Sequence, residues 1–141
     1  MKSVGKNVLA LVAGVVAGSV VNILLVNVGP SFVPLPAGAD VSTMDNLQNS
    51  MKLFTPVNFI FPFLAHALGT LAGAFVAARF AACHNVKCAL IIGVFFLMGG
   101  IAMVCMVGGP LWFNVADLLL AYVPMSILGA TLAGKPRSKV E

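Results

Sequence analysis

The chain has 141 residues, of which 60% are hydrophobic and only 9% charged, and its mean hydropathy is +1.06. Soluble domains carry about 25% charged residues, so this composition excludes a water-soluble globule and predicts one domain, residues 1–141, embedded in a lipid bilayer. The net charge of +4 does not mark a nucleic-acid partner, because Lys2, Lys6, Arg79, Lys87, Lys135, Arg137 and Lys139 flank apolar runs instead of forming a stripe.

Crossing a hydrocarbon core of roughly 30 Å takes about 20 apolar residues. The first stretch that qualifies is 8–28. Lys2 and Lys6 precede it like the basic start of a signal peptide, but its apolar run is about twice the usual 7–15 residues, so an uncleaved span is expected. Ala10, Gly14, Gly18 and Asn22 recur within it four apart.

An outer loop is expected over 29–56. It opens "GPSFVPLPAGAD", whose prolines oppose regular helix. "STMDNLQNSMKLF" follows, where Ser42 with Asp45 three residues on resembles a helix start. Met44, Leu47, Met51 and Phe54 then recur at helical spacing, which predicts a short amphipathic helix.

The second span, 57–82, carries "FIFPFLAHALGTLAGAF", with a proline and a histidine inside an otherwise apolar run. Ala65, Gly69, Gly73 and Ala77 repeat the four-residue spacing of the first span. Bilayer helices associate where small residues let backbones approach, so these two seams are expected to pack on each other, or alternatively to join copies of the chain. Pro62 here and Pro124 in the fourth span each remove a backbone donor and predict kinks. Arg79 at the inner end reads as a snorkelling anchor.

A tight turn around Cys83–Lys87 leads to the third span, 88–107, and "GGPLW" leads to the fourth, 112–133. The fold class expected is therefore an all-α membrane protein, an up-down four-transmembrane-helix bundle with a short amphipathic helix in the outer loop. In a square of four helices the first would adjoin both the second and the fourth. Of the eight Lys and Arg residues, only Lys52 falls on the far side from the termini. The positive-inside rule then places both termini in the cytoplasm and forbids dual insertion. Three cysteines are too few for a disulfide framework.

Four polar residues form the candidate site. His66 lies about 13 Å below the outer boundary and Asp117 about 7 Å, with Asn22 about 9 Å down on the first span, from 1.5 Å per residue. Asn22 is placed to bridge the other two, and Asn114, one turn above Asp117, to line an outer entrance. A carboxylate at bilayer depth is costly and marks a functional candidate; Asp and His chains carry protons through membranes, and histidine titrates near physiological pH. The alternative is a structural clamp. Tyr122, about 140° round the helix from Asp117 at 100° per residue, is expected to face elsewhere.

No catalytic set is visible, and no cofactor or metal is expected. His84 is about 27 Å from His66 along the axis, which excludes a shared haem iron, and Cys83, His84 and Cys88 lack the spacing of a metal site. The runs "FIFPFLAHALGTLAGAFVAA", "ALIIGVFFLMGGIA" and "WFNVADLLLAYVPMSILGATLAG" resemble small four-span bacterial inner-membrane proteins of an uncharacterised family. That resemblance implies an inner-membrane location and no activity. The function expected is a non-enzymatic small membrane subunit, self-associating as a homo-oligomer or serving a larger membrane complex. The alternative is a small-solute or proton transporter or channel using the polar cluster.

Overall fold

The computed structural model describes residues 3–134. Within them the chain is helical, with no strand: α1 (Ser3–Phe32), α2 (Met44–Ser50), α3 (Ile60–Phe80), α4 (Asn85–Val107), α5 (Leu111–Leu120) and α6 (Val123–Ala133). Four segments are long and apolar enough to cross a membrane: Ser3–Phe32, Pro56–Phe80, Asn85–Val107 and Leu111–Ala133, the last made of α5 and α6 in series. Helix satisfies the backbone within each segment, the requirement lipid imposes.

The first helix is longer than its sequence suggested. It continues past residue 28 to Phe32, with Pro30 inside its last turn. Two contacts hold this end. Phe32 stacks on Phe61 with ring centroids 5.7 Å apart, and a Cβ at Gly29 would lie 2.8 Å from that of Phe61. The prolines that do end the helix are Pro34 and Pro36, in the loop beyond it.

In that loop the short helix starts at Met44, one residue later than Ser42 would have made it. Thr43 is the cap, its hydroxyl accepting from the Asn46 amide N–H at 3.2 Å. Asp40 braces the turn in front: its carboxylate accepts from the Ser42 N–H and the Asn46 side chain at 2.8 and 2.7 Å. Hydrogen bonds from Ser42 hold the Asp40 carboxyl below its ordinary value of 3.8. Ser50 is buried and bonds the Asp40 backbone in both directions, each at 2.8 Å. Asn58 ties the loop to the head of the second span by donating to the Pro34 carbonyl at 3.1 Å. Pro62 sits at that head, where a 3-10 turn over Pro56–Phe59 passes into α3, so no kink is needed deeper in the helix.

At the opposite end Asn7 of α1 reaches the α3–α4 turn. Its Oδ1 accepts from the N–H groups of Ala82 and Cys83 at 2.8 and 3.3 Å, and its Nδ2 donates to Cys83 Sγ at 3.3 Å. His84 in that turn adopts the left-handed conformation, φ 57°, which histidine tolerates better than most side chains. The Asn85 side chain bonds the Gly134 carbonyl at 3.5 Å, bringing the end of α6 to the same level. Cys88 is buried beneath the turn, while Cys83 is only half-buried.

The packing order departs from a square with the first span beside the fourth. α3 is central and packs on α1, α4 and α6, while α1 packs chiefly on α3 and, less, on α4. The reason is that α3 is small-sided on two faces. Towards α1, a Cβ at Gly14 would fall 2.6 Å from the Gly73 carbonyl oxygen, and one at Gly18 would fall 2.7 Å from that of Gly69. Towards α6, a Cβ at Gly129 would fall 2.7 Å from the Leu71 carbonyl oxygen. The interior near the α3–α4 turn is filled by Ala74, Ala77, Ala78, Cys88, Ala89, Ile92 and Ala130.

Candidate functional site

The fourth span is broken in the middle. Pro124, near the start of α6, has no N–H to donate to Leu120, and regular helix stops at Leu120 and resumes at Val123. Tyr122 occupies the break with φ −115° and ψ −79°. Its phenol therefore does not follow the helical count that pointed it away from Asp117. Its hydroxyl donates to Asp117 Oδ2 at 3.1 Å, and its ring stacks on the His66 imidazole at 5.7 Å. Gly100 on α4 leaves room for it, since a Cβ there would lie 2.7 Å from Tyr122 Cζ. The sequence carried one signal for this, the proline two residues after the tyrosine.

His66 projects from α3 and Asp117 from α5, and the two meet. Nδ1 of His66 lies 2.9 Å from both Asp117 oxygens. The Asp117 side chain is 4% exposed and that of His66 23%, so both are largely out of reach of bulk solvent. An ionised carboxylate only accepts, so beside one the imidazole nitrogen is the tautomer's N–H donor, and the phenol donates its O–H. A neutral imidazole donating through Nδ1 carries a lone pair at Nε2. Among the described residues Nε2 has no hydrogen-bond partner, so the free pole of the cluster is the imidazole.

That pole stands between two cavities, each of about 270 Å³. The first opens toward the loop end. Val26, Phe61, Met103 and Phe113 make apolar walls, and Leu47 and Met51 of the α2 region face it from the loop. Phe59 packs against Trp112 and Phe113 at its margin, with centroids 5.5 and 4.6 Å apart. The second is bounded by Ser19 and Asn22 of α1, Gly69 and Thr70 of α3, Gly99 and Gly100 of α4, and Tyr122. His66, Gly100 and Met103 border both.

The other two candidate residues lie apart from the ionisable pair. Asn114 lines the first cavity and donates to the Gly109 carbonyl at 3.3 Å. Asn22 does not bridge Asp117 and His66. It has no hydrogen bond to either, its Cβ lies over Gly69, and it lines the second cavity. The bridging role fails because α1 packs on α3 and not beside the fourth span, so the polar end of Asn22 never reaches Asp117. Tyr122 takes that place. Thr70 is a second residue the sequence did not single out: it is 1% exposed and its hydroxyl is the one buried side-chain polar atom without a partner among the described residues. No group of three His, Cys, Asp or Glu side chains suited to a metal occurs among those residues.

The arrangement suits hydrogen bonding to a small molecule and reversible protonation at one imidazole whose counter-charge is fixed alongside. No protein-family model matches the chain, and neither a curated protein nor a solved structure matches it.

Proposed function

We propose that this chain is a non-enzymatic, multi-pass protein of the bacterial inner membrane that moves a proton, or a small solute with a proton, through its His66–Asp117–Tyr122 cluster. In this reading it is an up-down four-helix bundle with α2 as a cap on the outer side and both termini cytoplasmic, like the small four-span proteins its sequence resembles. The observation that carries the reading is the imidazole between two cavities, Nδ1 held by a buried carboxylate and Nε2 unbonded. A purely structural clamp would tend to use both nitrogens, since an unmet polar atom in a bilayer is costly.

The interior beyond the cluster is filled by alanines, Cys88 and Ile92, so the proposal is of alternating access to His66, not of an open pore. An accessory-subunit role draws support from α1, whose Val8, Val12, Val16 and Ile23 are exposed and apolar. A homo-oligomer would not use the glycine seams of α1 and α3, which are turned onto each other.

Proteoliposomes test the function. Purified protein is expected to dissipate an imposed pH gradient, alone or with a co-moving solute from a panel of small metabolites. Leakage no faster than protein-free liposomes across that panel would leave only the subunit role. Orientation is tested by thiol labelling in intact cells. An impermeant reagent is expected to modify Asn46→Cys from outside and to reach Cys83 only after permeabilisation; the reverse pattern overturns the orientation.

A further inference from the structure

We infer that the second cavity is a water-filled vestibule inside the membrane and that its water is the proton donor and acceptor for His66. The inference rests on the proposed role of His66 only for its function; the hydration itself stands on separate observations.

The first observation is the pair Ser19 and Asn22. Both border this cavity with His66, and among the described residues neither side chain makes a hydrogen bond. A hydroxyl both donates and accepts, and a carboxamide offers two donors and an acceptor. A lipid tail drawn into the space would leave both unpaired. The unbonded Thr70 hydroxyl is sealed from the same space by its neighbours.

The second observation is size. About 270 Å³ is room for a cluster of waters at roughly 30 Å³ each, and a buried water typically needs 2–4 polar partners. The third is charge. From α1 the cavity receives Ser19 and Asn22, and from α4 Gly99, Gly100, Phe96 and Met103, none of them ionisable; the titratable residues that line it are His66 and Tyr122. The titratable groups facing His66 are Asp117, through Nδ1, and Tyr122, through its ring. Asp117 does not border this cavity, so no carboxylate is presented there to hold a metal cation. Neutral water is the occupant this wall selects.

The step is simple in its balance. A hydronium proton passes to the Nε2 lone pair and leaves water behind. The other proton stays on Nδ1, hydrogen-bonded to Asp117, whose charge offsets the imidazolium, and no other bond changes. The reverse step returns the proton to water.

Water-edited solid-state NMR on the full chain in bilayers reads this directly. Transfer from water to the Ser19 side chain and the Asn22 carboxamide is expected to build up several-fold faster than transfer to Ala74 and Ala89 in the filled interior. Ser19 and Asn22 building up as slowly as Ala74 overturns the vestibule. A second arm uses Gly99, where a Cβ would meet nothing within 4 Å. Gly99→Leu is expected to fold and to slow the build-up at Asn22 several-fold; unchanged build-up counts against the inference. Asn22→Leu is the third arm. In a dry cavity the loss of an unbonded carboxamide raises the unfolding midpoint, whereas the vestibule predicts a lower one. Fast water transfer without proton flux in proteoliposomes would keep the vestibule and remove the transport role.

Discussion

Gly73→Val is expected to separate α1 from α3 and to be the most disruptive single change in the helices described. The two backbones interlock reciprocally: a Cβ at Gly73 would stand 2.7 Å from the Gly14 carbonyl oxygen, and one at Gly69 would stand 2.9 Å from that of Gly18. Backbone oxygens cannot turn aside as a side chain can, so the whole helix has to move. Overpacking costs about 1–3 kcal/mol and occasionally more, and the value here belongs at the upper end. The effect extends to the site, because α1 supplies Ser19 and Asn22 to the second cavity. Gly99→Ala is the matched control. With nothing within 4 Å of the new methyl, it is expected to gain the roughly 0.5–1 kcal/mol by which alanine exceeds glycine in a helix. Unfolding in mixed micelles, followed by helicity, measures both. Equal midpoints for the two variants would refute the interlock.

Asp117→Leu is the second large effect. It leaves the His66 Nδ1–H and the Tyr122 hydroxyl without their acceptor. Removing one partner of a buried ion pair costs about 3–5 kcal/mol in soluble proteins. Polar contacts between membrane helices average nearer 0.6 kcal/mol, because the unfolded helix in lipid also finds partners. With two donors stranded and the acid almost wholly buried, a loss on the order of 2 kcal/mol is expected. Asp117→Asn separates stability from function. The carboxamide keeps one accepting oxygen and nearly the same volume, so the fold is expected to survive. The counter-charge for an imidazolium is gone, so proton flux is expected to fall about tenfold or more, the equivalent of 1.4 kcal/mol on the step. Undiminished flux from a folded Asp117→Asn protein would reduce the cluster to a clamp.

The membrane-spanning character of the chain is local, and it is written in the sequence. Four runs of apolar residues, a polar loop with Ser42 and Asp45 near the start of a helical repeat, and glycines that end helices are all short-range signals. Hydrophobic transfer and capping act on a few neighbouring residues, so they can be read one segment at a time.

What only the tertiary structure decided is which faces meet. The glycine spacing in α1 and α3 was visible, but the second small face of α3, meeting Gly129, emerged only with α6 laid against it. That second contact makes α3 central and takes Asn22 away from Asp117. Phe32 stacked on Phe61 carries α1 beyond Gly29, overriding a composition that read as loop. Most of all, Tyr122 joined the cluster because Pro124 breaks the helix and Gly100 makes space on α4. An angle counted at 100° per residue holds only while the helix is continuous. Once it breaks, the direction of a side chain is set by the cavity that receives it, and that cavity is made by residues distant in the chain.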